Sequence, residues 1–288
     1  MRILLTGAIG FTGYFFQAAA EAAGHEIWPL KADLNDKKAV FAEVRSVMPD
    51  AVVHLAAISF VGHTKEIDFY LVNVLGTMNL LDALAALEVR PSKILLASSA
   101  NVYGNCEVSP ITEDQPAEPV SHYAMSKLAM EYMARTYLDR LPIVFSRPFN
   151  YTGVGQASNF LIPKLVNHFA ERASIIELGN LNVKREFNDV RKVCCAYVAL
   201  LTNGLAGETY NICSGQPFAL LEVIRELSEL TGHTIAIKVN PGFVRVNEVT
   251  RLCGSPAKLL ACSGELPNYT LRDTLQWMLG AAVKDGLN

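Results

Sequence analysis

The 288-residue sequence predicts an α/β protein, a doubly wound parallel sheet followed by a smaller mixed α/β part. Three observations predict it. The chain opens on an apolar strand, a glycine-rich turn and a helix; four more short apolar strands then alternate with helical segments as far as residue 150; and from Tyr151 onward that rhythm breaks into short mixed pieces. Strands separated by helices join through right-handed crossovers, so the first part forms one parallel sheet with helices on both faces. With 51% hydrophobic and 18% charged residues and a net charge of −3, the chain can bury a large core and has no bias toward nucleic acid or an anionic membrane. No internal repeat, low-complexity tract or disordered linker separates the parts. Met1-Arg2 leads straight into Ile3-Leu4-Leu5, leaving no room for a signal peptide, and no apolar run is expected to approach bilayer length, so the expected location is cytoplasmic. The six cysteines (106, 194, 195, 213, 253 and 262) lack C-x-x-C spacing and are expected to be free thiols, with no metal site.

The first strand, Ile3 to Thr6, runs into Gly7-Ala8-Ile9-Gly10-Phe11-Thr12-Gly13 and a helix to about Ala23, ended by Gly24. A strand, a tight glycine turn and a helix N-terminus place backbone N–H groups and the positive end of the helix dipole where a pyrophosphate can lie. The second strand, Glu26 to Leu30, precedes Asp33-Leu34 and a helix to about Met48. An acidic residue ending this strand would hold the adenosine ribose of NAD; Leu30 and Lys31 stand there instead, and Lys31 suits a 2′-phosphate, which favours NADP(H) over NAD(H). Asp33 either meets an adenine amino group or caps the next helix.

The third strand, Ala51 to Leu55, ends in Ala56-Ala57, small enough for a cofactor to lie on the backbone. His54, inside an apolar strand, reads as a packed structural histidine. Asp68 to Leu87 carries Leu71, Val74, Leu75, Met78, Leu81 and Leu84 at helical spacing and reads as a core-facing helix, with Asn73 outside that stripe. The fourth strand, Lys93 to Ala97, ends in Ser98-Ser99, where a hydroxyl at a carboxyl edge can face a ligand; Ser99 is the candidate. Next comes a helix with Tyr123 and Lys127 four residues apart, one turn apart on one face. A cation there is expected to favour the phenolate and bring the tyrosine closer to neutrality, where it can exchange a proton with a carbonyl or hydroxyl. The fifth strand, Ile143 to Ser146, leads to Arg147-Pro148-Phe149-Asn150.

Beyond it we expect a helix near Phe160 to Ala170, a strand at Ser174 to Leu178, an extended piece at Lys184 to Phe187, and a helix capped by Asp189 through Leu201. Glu208 to Ile212 reads as one more strand of the main sheet, and Ala219 to Leu230, Thr234 to Val239 and Leu271 to Leu279 complete the smaller part. Residues 1–150, with 189–213 returning to them, are the expected dinucleotide-binding domain; 151–188 and 214–288 form the other.

Taken in order, Thr6-Gly7-x-x-Gly10-Phe11-x-Gly13, His54-Leu55-Ala56-Ala57, Asn73, Ser98-Ser99 to Tyr103-Gly104, Tyr123-x-x-x-Lys127 and Arg147-Pro148-x-Asn150 resemble the extended short-chain dehydrogenase/reductases acting on nucleotide sugars, across essentially the whole chain. The second half looks most like the group of GDP-mannose 4,6-dehydratases and GDP-4-keto-6-deoxy-mannose reductases, through Phe149 to Gln156, Leu178 to Leu181, Val183 to Arg191, Tyr210 to Gly215 and Val244 to Val249. The resemblance implies a Rossmann dinucleotide domain and a nucleotide-sugar-binding domain. Its implied catalytic residues are Ser99, Tyr123 and Lys127. Cofactor contacts are expected from Gly7, Gly10, Phe11, Gly13, Lys31, Asp33, Leu34, Leu55, Ala56, Ala57, Tyr123, Lys127 and Pro148. Substrate contacts are expected from Ser99, Asn150, Arg185, Arg245 and Glu248, the two arginines on the diphosphate and Glu248 on the nucleotide's ribose; guanidinium forks suit phosphate oxygens. Asn73 takes a structural role near the site, and the helices at Asp68–Leu87 and Tyr123–Leu138 suit either a four-helix homodimer seam, as the resemblance implies, or ordinary core packing.

Two departures matter. Asn101 stands where dehydratases carry an acid in the Ser/Thr-x-Glu-x-Tyr-Gly pattern, and a neutral amide can neither remove the C5 proton nor help a hydroxyl leave, which disfavours dehydration. Val246 replaces a usual proline. The expected reaction is NADPH-dependent reduction of a C4 ketone on a GDP-linked 4-keto-6-deoxyhexose, with Tyr123 as acid. A C4 epimerase with tightly bound NAD is the alternative, and a non-catalytic dinucleotide sensor ranks last.

Overall fold

The structure is a computed structural model and describes residues 1–244 and 249–285, the last two through their backbone alone. In chain order the elements of the first half are β1 (Arg2–Thr6), α1 (Phe11–Ala22), β2 (Glu26–Pro29), α2 (Lys37–Val47), β3 (Ala51–His54), α3 (Glu66–Tyr70), a π-helical turn (Leu71–Gly76), α4 (Thr77–Ala85), β4 (Lys93–Ala97), a 3-10 turn (Ala100–Tyr103), α5 (His122–Arg135) and β5 (Ile143–Pro148). Then follow β6 (Tyr151–Thr152), α6 (Leu161–Ala170), β7 (Ile175–Leu178), β8 (Lys184–Arg185), β9 (Asn188–Asp189), α7 (Val190–Asn203), β10 (Thr209–Ile212), β11 (Phe218–Ala219), α8 (Leu220–Thr231), β12 (Ala236–Val239), a 3-10 turn (Pro241–Phe243), β13 (Arg251–Leu252), α9 (Ala257–Ser263) and α10 (Leu271–Asp285).

Six strands form one sheet in the order β10-β5-β4-β3-β1-β2, and every pairing in it is parallel. Alternate residues feed opposite faces, as strand geometry demands. Ile3, Leu5, Val53, Leu95 and Val144 pack with α1 and α7, whereas Leu4, Val52, Ile94, Leu96 and Phe145 pack with α2, α4 and α5. Each such buried side chain contributes on the order of 2 kcal/mol. The chain moves outward from β1 to β2 and then returns to the other side through β3, so the carboxyl ends of β1 and β3 border the switch point where ligands of such sheets bind. A second core joins α6, β7, α8 and α10, and a small cluster around Tyr103, Phe149, Cys213 and Leu252 lies at the junction.

Four readings of the sequence need correction. Leu71 and Leu75 do not face the core; they are 39% and 44% exposed, because the π-helical turn inserts an extra residue into the helix and rotates its first half relative to its second. The same turn buries Asn73, whose side chain bonds both backbone groups of Ile58 and the Ser126 hydroxyl. Asp36 caps α2 through the Ala39 amide, while Asp33 accepts from the Asn35 amide, which removes the capping reading of Asp33. Glu66–Ala85 forms a continuous helix long and apolar enough to cross a membrane by length and composition, contrary to the expected absence of such a run; half of it is buried inside the protein. Finally, α9, absent from the sequence reading, closes over α7 and β10.

Candidate active site

The glycine turn is as tight as its spacing demands. A Cβ on Gly13 would stand 2.1 Å from the Gly7 carbonyl oxygen, and one on Gly7, whose φ is +72°, would stand 2.8 Å from the Ala56 nitrogen. The helix can therefore approach β1 and β3 only with glycine at both positions. Gly10 is the N-cap of α1 and offers the first-turn amides no side-chain acceptor, so those donors are left uncapped at the glycine turn. Phe11 stacks on Tyr151, whose hydroxyl bonds Thr12 at 2.8 Å. At the same sheet edge the Ser98 hydroxyl is buried with no partner. A close-backbone cradle, uncapped amides and an unsatisfied hydroxyl along one edge fit a dinucleotide lying there.

The other expected cofactor contacts divide. Leu55, Ala56 and Ala57 are half-buried just after β3, and the Ala56 amide is held by Thr6 Oγ1. Lys31 is exposed beyond β2, with its amide and that of Ala32 fixed by the Glu43 carboxylate. Asp33 is exposed, but the Leu34 side chain lies in the core with α2 and α4, so only its backbone can serve a ligand. Pro148 is buried at the end of β5, paired with Ile212.

Ser99, Tyr123 and Lys127 converge at the carboxyl end of β4. Tyr123 and Lys127 are 8% and 4% exposed, and Ser99, 4% exposed, lies near enough to the phenol to act on its pKa. Ser99 in turn accepts from the amide and the side chain of Asn101, both at 3.2 Å. The start of α5 is locked in place: Asn73 donates to Ser126, and Ser126 donates to the Tyr123 carbonyl at 2.8 Å. One expectation fails here. Burial pushes the Tyr123 phenol above its ordinary value, with the Ser99 hydrogen bond pulling the other way, and the Lys127 ammonium donates to the Ala97 carbonyl at 2.7 Å instead of acidifying the phenol. Burial also lowers Lys127 to about 8, opposed by Glu131.

His54 is the structural histidine expected. It sits between the hydroxyls of Thr6 at 2.7 Å and Thr77 at 2.8 Å. Since Thr77 spends its proton on the Asn73 carbonyl, it must accept from His54 Nε2, which fixes the neutral tautomer with Nδ1 facing the Thr6 proton. Burial, and then the Lys127 charge, hold this imidazole down to about 3. Thr6, His54, Thr77, Asn73 and Ser126 thus link the glycine turn to the backbone of Tyr123.

Across the crevice, Asn150 is exposed, and its carbonyl accepts from both the amide and the side chain of Asn188. Arg185, on β8, is partly buried and donates to the Lys184 and Val249 carbonyls. Arg245 and Glu248 lie outside the described residues. Sequence reasoning passed over Glu186, which is fully buried and accepts from Ser214 N and Oγ, Gly215 N, Gly254 N and Asn188 Nδ2 at 2.6–3.3 Å. In Arg185-Glu186 a carboxylate beside a guanidinium reads as surface charge; the small-residue turns Ser214-Gly215 and Gly254 that supply its donors were the available signal. It also passed over an open cavity of about 470 Å³ lined by Asn159, Lys164, Asn167, His168 and Phe243.

A family model described as GDP-mannose 4,6 dehydratase matches residues 4–278. A GDP-6-deoxy-D-talose 4-dehydrogenase of Aggregatibacter actinomycetemcomitans is 36% identical over 94% of both chains, and a GDP-6-deoxy-D-mannose reductase of Pseudomonas aeruginosa is 34% identical over 96% of both. Among solved structures, a putative epimerase from Burkholderia cenocepacia J2315 superposes with a TM-score of 0.93 at 45% identity over 98% of both chains. RMD from Pseudomonas aeruginosa complexed with NADPH superposes with a TM-score of 0.91 at 32% identity over 99% of both. A match that runs from the first strand into the last helix, on a fold shared with full-length relatives, makes this chain a member of the GDP-mannose 4,6 dehydratase family with a Rossmann-type dinucleotide fold.

Proposed function

We propose that the protein reduces the C4 ketone of a nucleotide-linked 4-keto-6-deoxyhexose with NADPH, converting GDP-4-keto-6-deoxy-mannose to GDP-rhamnose or a C4 epimer. The observation that carries this reading is the state of Tyr123. Buried at the carboxyl end of β4 beside Ser99 and Lys127, and raised by that burial above the ordinary phenol value, it carries the proton that a ketone being reduced must receive. The dinucleotide supplies the hydride when bound. Ser99, fixed by Asn101, and Tyr123 hydrogen-bond the carbonyl oxygen, and Tyr123 then gives it a proton. Lys127, held at the strand edge by Ala97, orients the nicotinamide ribose and offsets the negative charge left on the phenol. Neutral Asn101 argues against the dehydration for which the family is described.

The GDP-linked names of two relatives support a GDP-sugar substrate. Asn150, Arg185, Arg245 and Glu248 are its proposed contacts, reached from residues 151–188 and 214–288, while residues 1–150 and 189–213 hold the cofactor. The exposed Lys31, and NADPH in the RMD structure, support NADP(H) over NAD(H). Ile67, Leu71 and Leu75 on α3 and the π-helical turn, with Met125 and Tyr132 on α5, are exposed apolar side chains on neighbouring helices that suit a second copy in a four-helix seam. A monomer mass by light scattering at micromolar concentration would overturn the dimer. Six free thiols are consistent with a cytoplasmic enzyme.

The test follows loss of the NADPH absorbance with GDP-, dTDP- and UDP-linked 4-keto-6-deoxy sugars, and the expected result is consumption with the GDP-linked substrate. Interconversion of C4 epimers without net redox change, by protein that carries bound NAD, would replace this reading with the epimerase that the Burkholderia structure's description favours.

A further inference from the structure

Lys127 has a buried counter-charge that the reaction does not touch. One turn along α5, on the same face, Glu131 is 1% exposed, and both its oxygens are taken by Arg147 at the end of β5, Nε to Oε1 at 2.9 Å and Nη2 to Oε2 at 2.7 Å. Arg147 lies over the Tyr103 ring at 4.8 Å, and the Tyr103 hydroxyl donates to Asn211, so the guanidinium cannot swing away. An unpaired carboxylate one helical turn from a buried ammonium would draw it into a direct ion pair. Instead, the ammonium donates to Ala97 at the sheet edge, beside Ser98 and Ser99.

We propose that Glu131 and Arg147 form a positioning pair for Lys127. Glu131 supplies the buried negative charge against which the ammonium stays charged, and Arg147 occupies both carboxylate oxygens so that the ammonium is left to Ala97 and the crevice. The role assigned to Lys127 rests on the reductase reading; the charge relation among the three side chains does not.

The surroundings leave this pair as the controlling charge. His54 on β3 is neutral, and Tyr123 keeps its proton. Burial pushes Tyr103 up to about 12. Burial likewise raises Tyr151, which bonds Thr12, so both phenols stay neutral. On the helices packed against the outer side of α5, the acids are partnered elsewhere: Glu66 with His122, Asp68 with His63, and Asp82 with Lys37 and Tyr137. Two effects oppose each other at Lys127: burial takes its ammonium down to about 8, and the Glu131 charge holds it up.

The experiment titrates Lys127 in the cofactor-free protein by NMR of its labelled side chain, in the wild type, Glu131→Gln and the double variant Glu131→Gln/Arg147→Met. The wild type should titrate near 8. Glu131→Gln should lower the midpoint by about one unit or more, because the counter-charge is lost and Arg147 is left uncompensated. The double variant leaves no orphan charge, which guards against a misfolded single variant, and should lower the midpoint by less. The pH at which NADPH binding weakens, followed by fluorescence, should move down with the lysine. An unmoved midpoint in whichever variant folds would overturn the proposal. A wild-type protein that reduces no ketone while the lysine still shifts would overturn the reductase reading and leave the pair standing.

Discussion

The Tyr123 edge of the sheet and the Arg185 junction each hold a buried carboxylate, and the two are satisfied in opposite ways. Glu131 meets a single charged fork from Arg147, between a fourteen-residue helix and a six-residue strand. Glu186 meets five neutral donors from Asn188, Ser214, Gly215 and Gly254, and it ties β8 to β9, to the turn after β10 and to the end of β13; β8, β9 and β13 are strands of two residues each. Helix and strand at the first site are secured by their own burial, so the pair there is free to set charge. Two-residue strands cannot stand alone, so at the second site the carboxylate is the scaffold.

The largest effect expected from this contrast lies at the first site. Tyr123→Phe should lower kcat by about 10²–10⁴-fold, leave NADPH affinity nearly unchanged, and alter stability by only about 1 kcal/mol. Steady-state kinetics with fluorescence titration measures the first two and urea unfolding the third; an unaltered kcat would remove the acid role. Glu186→Gln should do the reverse. It sets an NH2 group against donors that need an acceptor, which should cost on the order of 3 kcal/mol in urea unfolding and weaken the nucleotide sugar about tenfold while NADPH affinity holds. Equal loss of both ligands would mean that the junction does not act as a local scaffold.

The smallest effect sharpens the link between the halves of the Tyr123 edge. The folded His54 pKa of about 3 lies below its ordinary 6.5, so the unfolded chain binds the extra proton between those values. Stability contributed by neutral His54 is therefore present above about 6.5 and is lost as pH falls toward 3. His54→Gln should flatten that part of the unfolding-midpoint curve, and an unchanged acid slope would show that the acid sensitivity lies elsewhere.

Much of the first site was legible because its residues sit on regular elements. The five strands alternate strictly, and Tyr123 and Lys127 needed only helical spacing to be placed together. Ser99 followed from its position at a strand's carboxyl end. What was not legible depends on partners far away in sequence. The sequence pointed to Asp33 as a cap, but α2 begins three residues later and Asp36 takes that place. The sign of the Tyr123 shift turned on burial, which helical spacing does not report. Glu186 draws its donors from segments up to 68 residues away, so no local pattern marks it.

The π-helical turn at Leu71–Gly76 has an engineering consequence. Its extra residue puts the helix out of phase with itself by roughly 100°, the angle one residue subtends in an ordinary helix. Deleting one residue there would restore a regular screw, swing either Ile67 and Leu71 or the Leu80–Leu84 ridge off its present surface, and carry Asn73 away from Ser126. A loop elsewhere can lose a residue unnoticed; this helix would lose its registration with Tyr123.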